Sequence, residues 1–148
     1  MISNCLEGDK NNTIRNIRGK KSLDSGKGDY MAQILIADDA PVMRRNIRKI
    51  LEKEGHQIVA EATNGKQAYL EYKNYVPDLV TMDVNMPIVD GVEAVGNIVN
   101  EFPHAKIIMI SSNDQKRMVF NALQKGAKYY IMKPITEEKL LNVVKQFV

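Results

Sequence analysis

From Gln33 onward the chain repeats one unit: a short apolar run, one or two polar residues, then a longer segment with apolar residues at helical spacing. The runs are Ile34-Leu35-Ile36-Ala37, Gln57-Ile58-Val59-Ala60, Leu79-Val80-Thr81-Met82, Lys106-Ile107-Ile108-Met109-Ile110 and Lys128-Tyr129-Tyr130-Ile131-Met132. Mostly apolar runs of this length suit buried strands, and strands that alternate with helices form βαβ units and a parallel sheet. The pattern predicts an α/β fold with five strands and five helices, doubly wound around one sheet.

The helical segments carry their own start and stop signals. Pro41 sits where a first turn tolerates it, Met43, Ile47, Ile50 and Leu51 are spaced to face a core, and Gly55 ends the segment. Arg44, Arg45, Arg48 and Lys49 lie on the other side, which predicts a solvated face. Asn64-Gly65 opens a second helix to about Tyr75, and a third runs from Gly91 to about Glu101. The fourth is expected from about Asp114 to Lys125, with Val119, Ala122 and Leu123 inward and Gly126 as its stop. Thr136 is placed to cap the last helix, whose apolar stripe is Leu140, Val143, Val144 and Phe147.

Residues 1–30 contrast with this order. They hold four of the nine glycines, scattered charges and no apolar periodicity, which predicts a flexible N-terminal tail ahead of one folded domain at 31–148. The only cysteine, Cys5, lies in that tail, so neither a disulfide framework nor a cysteine-rich zinc site is available within the chain. The net charge of +3, with basic and acidic residues mixed, gives no basis for a nucleic-acid or membrane partner. With no bilayer-length apolar run and no signal-peptide core, a cytoplasmic location is expected.

In an open parallel sheet, ligands bind beyond the carboxyl ends of the strands, where the strand order reverses. The residues expected there are Asp38 and Asp39, Asp83, Ser111 and Lys133: three acids, a hydroxyl and an amine. Three carboxylates in one crevice repel one another unless a hard cation joins them, and an all-oxygen site suits Mg²⁺. One carboxylate could then attack phosphorus, with the metal, Lys133 and Ser111 stabilising the phosphoryl oxygens, so the set fits formation of an aspartyl phosphate. No Gly-x-x-x-x-Gly-Lys-Ser/Thr occurs, which excludes a P-loop. A haloacid-dehalogenase phosphatase places Asp-x-Asp on one strand; here Asp38 and Asp39 are adjacent and Asp83 lies on another.

These residues, together with Met82-Asp83-x-x-Met86-Pro87-x-x-Asp90-Gly91 and Gly126-Ala127 leading to Lys133-Pro134, make the stretch from about Gln33 to Val148 resemble the CheY-like receiver domain of two-component response regulators. The resemblance implies the flavodoxin-like strand order 2-1-3-4-5. It implies that Asp83 accepts a phosphoryl group from a CheA-like histidine kinase. Mg²⁺ would be held by Asp39 and Asp83 directly, by Asp38 through water and by the Asn85 backbone carbonyl. Ser111 would move to the phosphoryl group, Lys133 would pair with it, and Tyr130 would turn inward as the coupled aromatic.

Strand alternation puts Tyr129 and Tyr130 on opposite faces, and the spacing of three before Lys133 selects Tyr130. Ser111 and Ser112 depart from the Thr and Ala or Gly commoner in the family, and Asn85 and Asn113 occupy positions that affect how long the phosphate survives. The chain stops one helix after Lys133, so the expected output is protein binding by a single-domain regulator and not catalysis on a substrate. The leading expectation is chemotaxis: binding to a flagellar motor switch through the fourth helix, fifth strand and fifth helix, with a phosphatase as a further partner. The competing expectation is a phosphorelay, stress or developmental receiver that passes its phosphoryl group to a histidine phosphotransferase.

Overall fold

The computed structural model describes residues 31–148, so the tail expected at 1–30 lies outside the described residues. The elements run β1 (Gln33–Ala37), α1 (Pro41–Lys53), β2 (Gln57–Ala62), α2 (Gly65–Tyr75), β3 (Leu79–Asp83), α3 (Gly91–Glu101) and β4 (Ile107–Ser111). After a 3-10 turn at Asn113–Gln115 come α4 (Lys116–Lys125), β5 (Tyr129–Met132) and α5 (Glu137–Phe147). All neighbouring strands are parallel, in the order β2-β1-β3-β4-β5. The chain leaves β1 to one side for β2 and to the other for β3, which puts the switch point between β1 and β3.

The central strands are apolar because both of their faces are covered. Every residue of β3 and β4 is buried. On one face Leu35, Val80, Met82, Ile107 and Met109 pack with Val95 and Ile98 of α3 and Val119 and Ala122 of α4. Ile47, Ile50 and Leu51 of α1 and Leu140, Val143 and Val144 of α5 are likewise buried, as their spacing predicts. Met43 is only half-buried.

Side-chain caps set where α2, α3 and α5 begin. Asn64 accepts from the Gln67 N–H at 2.8 Å, Asp90 from Glu93 at 2.8 Å, and Thr136 from Lys139 at 3.1 Å. At the far end of α4, Gly126 adopts φ +122°, and a Cβ there would stand 2.8 Å from Val99 Cγ1, so glycine answers both the backbone and the packing.

Two boundaries differ from the sequence expectation by two residues. β2 continues through Glu61 to Ala62, because the strand end pairs with Ile36 and Ala37 and the Glu61 side chain finds cationic partners. The α-helix expected from Asp114 starts only at Lys116. The Gln115 side chain accepts from the Ser112 N–H at 2.7 Å, and this tight turn takes up the preceding residues.

Candidate functional site

Strand register aligns the carboxyl ends into one edge: Ala37 is paired with Met82, Asp83 with Ile110 and Ser111 with Met132. The next residue after β1 is Asp38, and Asp83 and Ser111 are the last residues of their strands. All three are buried, at 1%, 4% and 1% exposure. Asp39 is exposed beside them. One carboxylate oxygen from each of Asp38, Asp39 and Asp83 lies within 4.8 Å of the others. Lys133, just past β5, donates from Nζ to Asp83 Oδ1 at 3.1 Å.

Main-chain bonds hold this group in place. The Asp38 N–H donates to Ala62 O at 2.9 Å, and Asp38 Oδ1 accepts from the Ala40 N–H at 2.8 Å. Lys133 N donates to Ser111 O at 2.7 Å, which ties the end of β4 to the residue after β5. Behind Asp83, the Gly91 N–H donates to Val84 O at 2.8 Å. A Cβ on Gly91 would lie 2.0 Å from the Asp83 carbonyl oxygen, so only glycine lets α3 start this close to the strand end.

The charges are out of balance. Burial, reinforced by the nearby Asp38, pushes the Asp83 carboxyl up to about 6, and Lys133 only partly offsets this. Burial also raises Asp38, against the Ala40 hydrogen bond. Asp38 Oδ2 is buried with no hydrogen-bond partner. Buried acids facing one lysine, with an orphaned oxygen among them, fit a hard divalent cation with oxygen ligands such as Mg²⁺. Asp38, Asp39 and Asp83 are the side chains that could hold it. Asn85 lies exposed in the turn that follows.

Tyr130 stands apart from the acids. Its ring is 40% exposed and lines a cavity of about 250 Å³ with Ser111, Val119, Phe120 and Met132, between α4 and the end of the sheet. Tyr129 packs on Phe147 of α5 at 6.2 Å between centroids. The two rings come within 5.6 Å of each other, and both border a second hollow with Lys139, Asn142 and Val143 of α5.

One expectation needs correction. Arg44 and Arg48 do not belong to a solvated face: Arg44 Nε meets Glu61 Oε1 at 2.8 Å and Arg48 Nε meets Glu61 Oε2 at 2.7 Å. The two guanidiniums hold Glu61 below its usual range although burial alone would raise it. Arg45 and Lys49 are exposed as expected. Helical spacing gave the direction of these side chains but not the acid on the neighbouring strand, and the charged Glu61 closing an apolar run was the available signal. Thr81, whose hydroxyl is buried without a partner, was also missed as a polar group beneath Asp83.

The sequence profile of the response regulator receiver domain matches residues 34–145. The chain is 47% identical over 112 residues to the chemotaxis protein CheY of Bacillus subtilis, covering 76% of this chain and 93% of that protein. It is 40% identical to CheY of Thermotoga maritima over 112 residues, again 76% and 93% of the two chains. Among solved structures, the CheX–CheY–BeF3–Mg complex from Borrelia burgdorferi contains a chain that is 35% identical, with a TM-score of 0.75 over 84% of this chain and 94% of that one.

Proposed function

The chain belongs to the response regulator receiver domain family, and from that premise we propose that it takes a phosphoryl group from a histidine kinase onto Asp83 and signals chemotaxis through a protein-binding surface. The observation that carries this reading is the meeting of Asp38, Asp39 and Asp83 around a shared point, with Lys133 on Asp83. The similarity to CheY proteins supports chemotaxis over the other outputs of the family.

The chemistry is an in-line transfer. The Asp83 carboxylate attacks phosphorus as the P–N bond of the kinase's phosphohistidine breaks, and the imidazole nitrogen departs with the bonding pair and takes up a proton. A bound Mg²⁺, held by Asp39, Asp83 and the Asn85 carbonyl directly and by Asp38 through water, would neutralise charge on the acids and the phosphoryl oxygens. Lys133 is already on Asp83 and supplies the fixed positive charge on the protein side. Ser111 donates its hydroxyl to a phosphoryl oxygen by a short movement of the β4 end. That movement lies beside the cavity into which the Tyr130 ring can turn, so phosphorylation shifts a two-state equilibrium of the α4–β5–α5 face.

The exposure of Phe120, Tyr129 and Tyr130 supports that face as the surface for a flagellar motor-switch protein, with a CheA-like kinase upstream and, by likeness to the CheX–CheY complex, a CheX-like protein and a phosphatase among the further partners. The test is binding of a motor-switch peptide with Mg²⁺ and fluoroberyllate. Activated wild type should gain affinity and Asp83→Asn should not. Equal binding by both contradicts the reading, and rapid transfer to a histidine phosphotransferase without peptide binding points to a relay instead.

A further inference from the structure

Arg44 joins two elements that meet at the acid loop. Its Nη1 donates to the Asp38 carbonyl oxygen at 2.7 Å, while its Nε donates to Glu61 Oε1 at 2.8 Å. Glu61 is fixed from the other side by Arg48 Nε at 2.7 Å, and Arg48 is itself braced on Glu52 at 2.8 Å. The residue after Glu61 is Ala62, whose carbonyl takes the Asp38 N–H at 2.9 Å. Consecutive residues of β2 therefore hold both main-chain polar groups of Asp38, one directly and one through Arg44. With Oδ1 occupied by the Ala40 N–H, the one polar atom of Asp38 left over is the buried Oδ2.

The Arg44 side chain is only 16% exposed, and its planar fork satisfies a carbonyl and a carboxylate at once, which the single ammonium of lysine does not reproduce. We propose that Arg44, anchored by Glu61, is a positioning residue for the cation site: it fixes the Asp38 main chain so that Oδ2 is aimed at that site, where it can hold Mg²⁺ through water. This rests on the receiver reading given above. It also sets position against charge, because a cation beside a Mg²⁺ site repels the ion. If Arg44 acts only through its charge, removing it tightens Mg²⁺ binding; if it acts by position, removing it weakens binding.

The experiment is a calorimetric Mg²⁺ titration of the full chain as wild type, Arg44→Gln, Arg44→Lys, Glu61→Gln and Arg45→Gln, each checked for folding by thermal unfolding in chelator. Arg44→Gln should bind Mg²⁺ about 10-fold more weakly, as loss of a supporting contact behind a metal ligand does. Arg44→Lys should not restore the affinity, Glu61→Gln should fall by a smaller factor, and Arg45→Gln, which removes an exposed charge one residue away, should stay within about twofold. Arg44→Gln binding as tightly as wild type or tighter overturns the assignment. Should that variant fail to fold, an unchanged affinity in folded Glu61→Gln overturns it equally. A wild type that takes up no Mg²⁺ overturns the receiver reading and this assignment together.

Discussion

At the carboxyl ends of β1, β3 and β4, Asp38, Asp83 and Ser111 are buried and tied down; on β5 and α4 the aromatic residues are exposed and loosely packed. Asp38, Asp83 and Ser111 sit at the ends of strands whose own backbones fix them, and Asp38 and the start of α3 are held by further main-chain bonds. Tyr129, Tyr130 and Phe120 are each at least 40% exposed, and a cavity stands open beside Tyr130. Phosphoryl transfer needs groups held in place before the reaction, whereas a switch needs a surface with two arrangements close in energy. Ser111 belongs to both regions, buried at the sheet edge and lining the cavity, so in the proposed mechanism it is the residue that would connect them.

That contrast can be broken most sharply at Lys133. Replacing it by Met removes the charge that faces Asp83 and the transferring phosphoryl group. Phosphorylation by a small phosphodonor should slow by about 100-fold, which time-resolved intact-mass measurement checks. A rate within a few-fold of wild type would mean that the acid region does not depend on its fixed cation.

A second effect concerns stability in metal-free protein. The Asp83 carboxyl is raised to about 6 in the folded state, so its contribution favours folding below its ordinary value of 3.8 and is lost as pH rises through about 6. Denaturant unfolding in chelator should therefore show Asp83→Asn more stable than wild type by about 2–3 kcal/mol at pH 7, with the gap closing toward pH 4. Mg²⁺ should stabilise wild type at pH 7 and leave the Asn variant nearly unchanged. An Asp83→Asn variant less stable than wild type at pH 7 without metal would contradict the charge imbalance.

The smallest effects are expected at the β5 edge. Tyr130→Ala should change stability by no more than about 1 kcal/mol, because the residue is exposed at 40% and lies at the sheet edge. Its phosphorylation rate should stay within about threefold of wild type, while its gain in motor-switch peptide affinity on activation should disappear. A Tyr130→Ala variant that is phosphorylated as slowly as the Lys133 variant would erase the distinction between the two regions.

The sheet was legible because both faces of its strands are covered, so apolar runs mark them to within about two residues at each end. The site was legible for a related reason. A polar residue that closes a buried run has nowhere to go but the sheet edge, which is why Asp83, Ser111 and the Asp38-Asp39 pair could be named from the chain alone. What could not be read is how the members of that set differ. Nothing local tells Asp38, buried with an orphaned oxygen, from Asp39, exposed one residue later; that depends on the bonds from Ala62 and Ala40. The Glu61 clamp on Arg44 and Arg48 was hidden because it joins residues 13 to 17 positions apart through tertiary packing. The turn before α4 was readable in principle, since Ser112-Asn113-Asp114-Gln115 carries Ser and Gln at capping-box spacing.

In the proposed mechanism Asp83 is the residue that receives the phosphoryl group. The direct measurement is to phosphorylate the full chain with a small phosphodonor and Mg²⁺, reduce the acyl phosphate with borohydride, and locate the resulting homoserine by peptide mass spectrometry. The result expected is homoserine at position 83 and nowhere else, absent from Asp83→Asn and when Mg²⁺ is chelated. Homoserine at Asp38 or Asp39 in the wild type, or undiminished phosphorylation of Asp83→Asn, would contradict it.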